Sequence, residues 1–123
     1  MSATRVCLED ELQEGHMRLA DVAGREIGVY RRNGAYLAYE NTCPHQGGPA
    51  CEGVLMPAVK DIVGAGGVYH GQEWDRADMH IVCPWHGYEF RLADGRHVAQ
   101  PEIGLRRFEA YARDGVVYVV VDR

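Results

Sequence analysis

The sequence predicts an all-β domain of antiparallel sheets, on three observations. Asn33-Gly34 stands between two apolar segments, Ile27-Gly28-Val29-Tyr30 and Tyr36-Leu37-Ala38-Tyr39. An Asn-Gly pair tolerates positive φ at both central positions and so favours a two-residue type I′ hairpin turn. The C-terminal part repeats the pattern: 105–111, a turn at Arg113-Asp114-Gly115, then Val116-Val117-Tyr118-Val119-Val120-Val121. Fifteen glycines are scattered along the chain, the supply of turns that many short strands require. A length of 123 residues suits one domain, 1–123. With 46% hydrophobic and 25% charged residues the chain has the composition of a globular protein and not of a disordered one.

In chain order, Arg5-Val6-Cys7-Leu8 reads as a first strand and 15–20 as a second. The 25–40 hairpin follows. Tyr88-Glu89-Phe90-Arg91 reads as an aromatic strand that ends in a turn at Ala93-Asp94-Gly95-Arg96, and the C-terminal hairpin closes the chain. β-branched and aromatic residues concentrate in these segments, where they fit a pleated, half-buried surface. The least patterned stretch is 56–79, which carries Gly64, Gly66, Gly67 and Gly71 and mixes apolar with charged residues. It is compatible with a long loop, an extended hairpin or a short helix over 57–63. A segment of this length has its own structure, a function, or disorder.

Thirteen Lys and Arg against 18 Asp and Glu leave a formal net charge of −5. Nucleic acid would repel so acidic a small protein, whereas a basic or less acidic protein partner suits it. Met1-Ser2-Ala3-Thr4-Arg5 lacks the apolar core of a signal peptide, and the longest apolar run, six residues ending at Val121, is too short to span a bilayer. The expected compartment is the cytoplasm, where thiols stay reduced. Cys7, Cys43, Cys51 and Cys83 therefore read as thiols or metal ligands, against the competing reading of two disulfides in an exported domain.

Two segments stand apart: Cys43-Pro44-His45 and Cys83-Pro84-Trp85-His86. Each places a proline after a cysteine and a histidine one or two positions further. Gly47 and Gly48 follow the first, Gly87 the second. Proline restricts the backbone and favours a turn, and glycine lets backbone amides approach an anionic centre. Two thiolates and two imidazoles suit either zinc or a two-iron cluster. Zinc fingers pair their ligands as two Cys and two His, the latter on a helix, whereas here each loop offers one of each in a β-rich setting.

On these residues the chain resembles the Rieske family, whose pattern is C-x-H, a spacer, then C-x-x-H-G with an aromatic four residues after the histidine. Here the pattern is Cys43-Pro44-His45-Gln46-Gly47-Gly48 and Cys83-Pro84-Trp85-His86-Gly87-Tyr88-Glu89-Phe90, with Asp94-Gly95 beyond, and the resemblance covers roughly 5–121. It implies the Rieske fold of antiparallel sheets, with two cluster-binding loops and a long insertion between them. It also implies one Rieske-type [2Fe-2S] cluster per chain, with Cys43 and Cys83 on the inner iron and His45 and His86 on the outer one. Neutral imidazoles in place of thiolates make such a cluster easier to reduce than an all-cysteine one. Reduction raises the basicity of the imidazoles, so the potential should fall as pH rises.

The resemblance also selects a branch. Respiratory-type members carry an extra cysteine in each ligand loop, and these pair in a disulfide. Trp85 stands at one of these positions, and Cys51 lies too far beyond His45 for the other, so that disulfide is not expected. The branch's serine and tyrosine, which donate hydrogen bonds that raise the potential, are replaced by Tyr88 and Phe90. Fewer donors favour the oxidised form, which places the chain with the low-potential carriers. The 37 residues between His45 and Cys83 exceed the family's usual spacer, which puts an insertion at about 57–79. Trp74, Tyr69 and Met79 give it apolar material for packing on its own domain or for a subunit contact. Outside the motifs, Cys7 reads as core and Cys51 as a small buried hydrophobe or a redox-sensitive thiol. His80 reads as a support for the second loop, Trp85 as a shield of the cluster or a residue of the docking face, and Pro101 resembles the family's proline loop. His16, His70 and His97 read as surface or hydrogen-bonding residues.

What the resemblance implies for function is an electron carrier. A flavin-dependent reductase supplies single electrons, and a terminal Rieske-type oxygenase receives them. The chain itself would not transform an organic substrate, since an oxygenase needs a further mononuclear iron site. The acidic surface would speed docking more than tighten it. Two rivals stand beside this reading, a small Rieske-type subunit of a nitrite reductase and a zinc-stabilised structural module.

Overall fold

The computed structural model describes residues 2–44, 47–84 and 87–121. Nine strands run in order: β1 (Ser2–Leu8), β2 (Met17–Val22), β3 (Arg25–Arg32), β4 (Ala35–Glu40), β5 (Val54–Val63), β6 (Tyr69–Val82), β7 (Glu89–Arg91), β8 (Arg107–Arg113) and β9 (Val116–Val121). Single 3₁₀ turns at Glu9–Glu11, Ala50–Glu52 and Ala65–Gly67 are the helical segments among the described residues. No helix there is long and apolar enough to cross a membrane. The strands form a six-stranded sheet, β1-β9-β8-β4-β3-β2, and a three-stranded sheet, β5-β6-β7, antiparallel throughout.

Three connections in the large sheet are two-residue turns. Val22 pairs with Arg25, Arg32 with Ala35 and Arg113 with Val116. Their first central residues, Ala23, Asn33 and Asp114, have φ of 53°, 52° and 53°. Each turn carries the twist that matches its strands. The Glu14 carboxylate accepts the Asn33 and Gly34 amides at 2.7 and 3.1 Å, and these bonds hold its pKa below the usual carboxylate range.

Two apolar cores lie on opposite sides of β3 and β4. Ile27, Val29 and Ala38 face a core with Cys7, Leu12, Val22 and Phe108, to which β9 adds the alternate residues Val117, Val119 and Val121. Tyr30 and Tyr39 face a second core, with Cys43, Cys51, Cys83, Ile81, Phe90, Leu92 and Leu105. The central residues of β3, Ile27 to Tyr30, are consequently buried on both faces. Such burial on a solvent-bordered antiparallel sheet happens only where loops pack on the outer face.

The 56–79 stretch is a β-ribbon. Val54 to Pro57 pair with Val82 to Met79, and Ala58 then pairs with Asp75, so 76–78 form a bulge. The Arg32 guanidinium ties that bulge down by donating to the Arg76 carbonyl. Leu55, Ile81 and Met79 pack at the base, on the second core. Trp74 and Tyr69, expected as packing material for the domain, do not reach it. Val59, Val63, Val68, Tyr69 and Trp74 are each more than half exposed. The reason is geometric: β7 pairs only with 80–82, so beyond the bulge the ribbon has two strands and no sheet beneath it.

Alanine pays for a left-handed backbone with a Cβ contact worth about 1–2 kcal/mol, while asparagine tolerates it better. Ala23→Asn should therefore stabilise the protein by about 1 kcal/mol, read as a higher urea midpoint with an unchanged slope.

Candidate metal centre

The two cysteine loops are built alike. The first leaves β4 through Asn41, and the Cys43 amide donates to the Gly48 carbonyl at 2.7 Å. The second leaves β6, and the Cys83 amide donates to the Tyr88 carbonyl at 2.8 Å. In both, the cysteine closes its loop onto the residue five positions ahead. Gly47 and Gly87 have φ of 74° and 65°, the left-handed backbone that reverses each loop. The Gly47 amide adds a bond of 2.8 Å to the Cys43 carbonyl. Cys43 and Cys83 are 2% and 0% exposed in the same apolar core. None of the four cysteines is in a disulfide. His45, His86 and Trp85 lie outside the described residues.

The bases of the loops touch. A Cβ at Gly53, where the first loop enters β5, would sit 1.6 Å from the Val82 carbonyl oxygen and 3.0 Å from Pro84 Cδ. Only a residue without a Cβ lets the backbones of the two loops come this close. Asn41 anchors the other end. Its Oδ1 accepts the Cys51 amide at 2.7 Å, and its Nδ2 donates to Glu26 at 2.5 Å and Glu52 at 3.1 Å. Sequence reasoning missed both residues. Asn41, a polar residue between an apolar strand and a cysteine, carried a weak signal; Gly53 carried none.

Cys51 belongs to this scaffold. It is 1% exposed, and its side chain fills the space that a Cβ at Gly28 would occupy, 2.6 Å away. The Tyr30 hydroxyl donates to its carbonyl at 3.4 Å. Burial pushes the Cys51 thiol up to about 11, so at neutral pH it is a protonated packing group and not a redox-sensitive one. Burial also raises Tyr30, and takes Tyr39, whose hydroxyl donates to the Leu92 carbonyl at 2.6 Å, up to about 12.

The second loop is braced from behind. His80 is buried, with Nδ1 3.1 Å from Glu89 Oε1 and Nε2 3.3 Å from Asp78 Oδ1, the latter without hydrogen-bond alignment. It ties β6 to β7 across the loop that Cys83 opens. Phe90 is fully buried and without a hydroxyl, beside the cysteines in the core. Pro101 lies in an exposed turn, and His16 is exposed at the entry to β2. His70 stands on β6, in the ribbon. Cys7 is in the first core, its thiol raised by burial.

The donor set fits a soft, anionic metal centre: two buried sulfurs on two glycine-bearing loops whose shapes are held by backbone bonds. Gly53→Ala should cost about 3 kcal/mol or more and abolish iron retention, because the atom in the way is backbone. Gly47→Ala meets open space and should cost only about 1–2 kcal/mol. Urea unfolding and iron content separate the two. A thiol raised from 9.0 to about 11 binds its proton more tightly folded than unfolded, so its contribution is full below pH 9 and is lost as pH rises to 11. Cys51→Ala should flatten that alkaline loss by about 2 kcal/mol in unfolding titrations between pH 8 and 11.

Comparison with known proteins agrees with this geometry. The ferredoxin component of the alkene monooxygenase system of Xanthobacter autotrophicus is 25% identical over 114 residues, 93% of this chain and 77% of the relative. A solved complex of reduced oxygenase and oxidised ferredoxin in carbazole 1,9a-dioxygenase contains a chain with TM-score 0.66 and 27% identity, covering 95% of this chain and 91% of that one. A protein described as the small subunit of an NADPH nitrite reductase superposes with TM-score 0.69 at 14% identity, over 98% of this chain and 100% of the other. A sequence model of the Rieske [2Fe-2S] domain matches residues 2–109. The chain belongs to the Rieske [2Fe-2S] domain family, which implies a Rieske-type [2Fe-2S] cluster.

Proposed function

We propose that the protein is a low-potential, one-electron carrier that accepts electrons from a flavin-dependent reductase and passes them to a terminal Rieske-type oxygenase. The observation that carries this reading is the pair of identically closed loops that bury Cys43 and Cys83 in one core. In this reading Cys43 and Cys83 hold the inner iron of a [2Fe-2S] cluster, and His45 and His86 hold the outer one. The cluster supplies reversible uptake of a single electron. The chain's own part is to hold it: the closed loops fix the thiolates, Asn41 and Cys51 fix the first loop on β3, and His80 braces the second. Residues 1–123 act as one domain with the ribbon, about 57–79, as an insertion, and the reduced thiols suit the cytoplasm. We assign the chain no catalytic residue of its own.

Similarity at 25% and 27% identity to a monooxygenase ferredoxin component and to a chain of an oxygenase–ferredoxin complex supports the oxygenase partner. The nitrite reductase reading has fold likeness behind it at 14% identity. The zinc module loses its ground with the family assignment.

Iron and acid-labile sulfide analysis with EPR after dithionite reduction tests the cluster. Two irons and two sulfides per chain with the rhombic, low-average-g signal of histidine ligation are expected; zinc without sulfide would sink the reading. Cys43→Ser, Cys83→Ser, His45→Ala and His86→Ala should each abolish that signal. Stopped-flow mixing of the reduced protein with an oxygenase and with a sirohaem nitrite reductase then identifies the acceptor, and the oxygenase should be reduced faster.

A further inference from the structure

Beyond its bulge the β5–β6 ribbon gathers its large apolar side chains on one face. Val59 pairs with Trp74, and Val63 pairs with Tyr69. Residues directly opposite in an antiparallel ladder share a face. Val59 and Val63 share a face too, because positions four apart on a strand do. The register shift between Asp61 and Val63 adds its extra residue to β6, so β5 keeps its alternation. The pair between the two apolar rows is Asp61 with Gln72. Val59, Val63, Tyr69 and Trp74 are 51%, 62%, 59% and 53% exposed. A hollow of about 280 Å³, lined by Val59, Gln72, Glu73 and Trp74, opens beside the first row.

Half the area of two aromatic and two valine side chains is roughly 400 Å² of apolar surface, the size of patch that marks an interaction site. Two such faces brought together would bury about 800 Å² of apolar area, and homodimer interfaces are about 65% apolar, so the whole contact reaches about 1,200 Å². That is the lower bound of a specific, stable interface, which begins near 1,200 Å². Location also bears on the partner. One cysteine loop enters β5 at Val54 and the other leaves β6 at Val82, so both lie at the same end of the ribbon. Residues 75–82 separate Trp74 from Cys83, up to about 30 Å of strand. A partner that must reach the metal centre docks at that end and leaves the apolar face uncovered.

We propose that the apolar face of the ribbon is a self-association surface whose occupant is the same face of a second copy of this chain. A two-fold axis between the rows sets the Val59–Trp74 row of one copy against the Val63–Tyr69 row of the other, an isologous contact that closes at two chains. The side chains interdigitate as between packed sheets about 10 Å apart. Both cysteine ends then point away from the contact and stay open to other partners. This assignment is independent of what the metal centre does.

Sedimentation velocity of the full chain, from micromolar to submillimolar concentration, tests it. The parent should be a dimer in reversible exchange with monomer. Trp74→Ser, and Val63→Ser on the other strand, should each weaken the dimer at least tenfold, since a two-fold contact loses the side chain twice. Tyr111→Ser removes an aromatic side chain from β8, outside the ribbon, and should leave the dimer unchanged. Circular dichroism and urea midpoints like the parent's should accompany all three, because none of these side chains belongs to either core. Each chain carries a net charge of −5, so salt raised from about 20 to about 300 mM should tighten the dimer by screening like-charge repulsion. A parent that stays monomeric throughout overturns the proposal, and Trp74-dependent binding of an added oxygenase to that monomer would give the face to the oxygenase. A dimer that both ribbon variants leave intact puts the interface elsewhere and overturns it as well.

Discussion

Burial of β3 and β4 on both faces is the constraint on which the rest of the structure depends. An antiparallel sheet needs only one covered face, and here the closing of the large sheet around Ile27, Val29, Ala38 and the β9 valines provides it. The other face carries Tyr30 and Tyr39, two large side chains whose hydroxyls must find partners once buried. They find them in the Cys51 and Leu92 carbonyls, one in each of the segments that cover this face. The cysteine loops are therefore held on a wall that the first core has already made rigid.

Electrostatics follow from the same burial. The thiol of Cys51 and the phenols of Tyr30 and Tyr39 are all pushed upward by desolvation, so this wall stays neutral across the physiological range. In the proposed reading, a neutral, low-dielectric surround would leave the charge of a thiolate-held centre to be balanced by the metal and by the open side. Charged groups are kept to the rim: Glu26 and Glu52 meet the Asn41 amide, and Glu89 and Asp78 meet His80.

Much of this was legible in the residues because the determinants were local. Asn33-Gly34 and Asp114-Gly115 announce their turns, and the Cys-Pro pairs announce the loops. Ala23-Gly24 makes the same kind of turn, but alanine is not a turn-forming residue and its sheet partners, not its propensity, hold φ at 53°. The 56–79 stretch resisted assignment because alternation records burial on one face, and a two-stranded ribbon standing clear of the domain has no such face. Gly53 and Asn41 act through contacts with backbone brought near by folding, and no spacing in the chain encodes that. The two cysteine loops were readable as candidate ligand loops, whereas their matching closure onto Gly48 and Tyr88 was visible only in three dimensions.

That matching closure has a consequence for assembly. Each loop draws its shape from a bond within itself and from the wall behind it, and neither closing bond involves a metal. In the proposed reading, these backbone bonds would hold the two sulfurs of a cluster in place, so that binding it would cost the described part of each loop little further ordering. On that reading, delivery and desolvation of the cluster, and not folding of the loops, would govern its insertion.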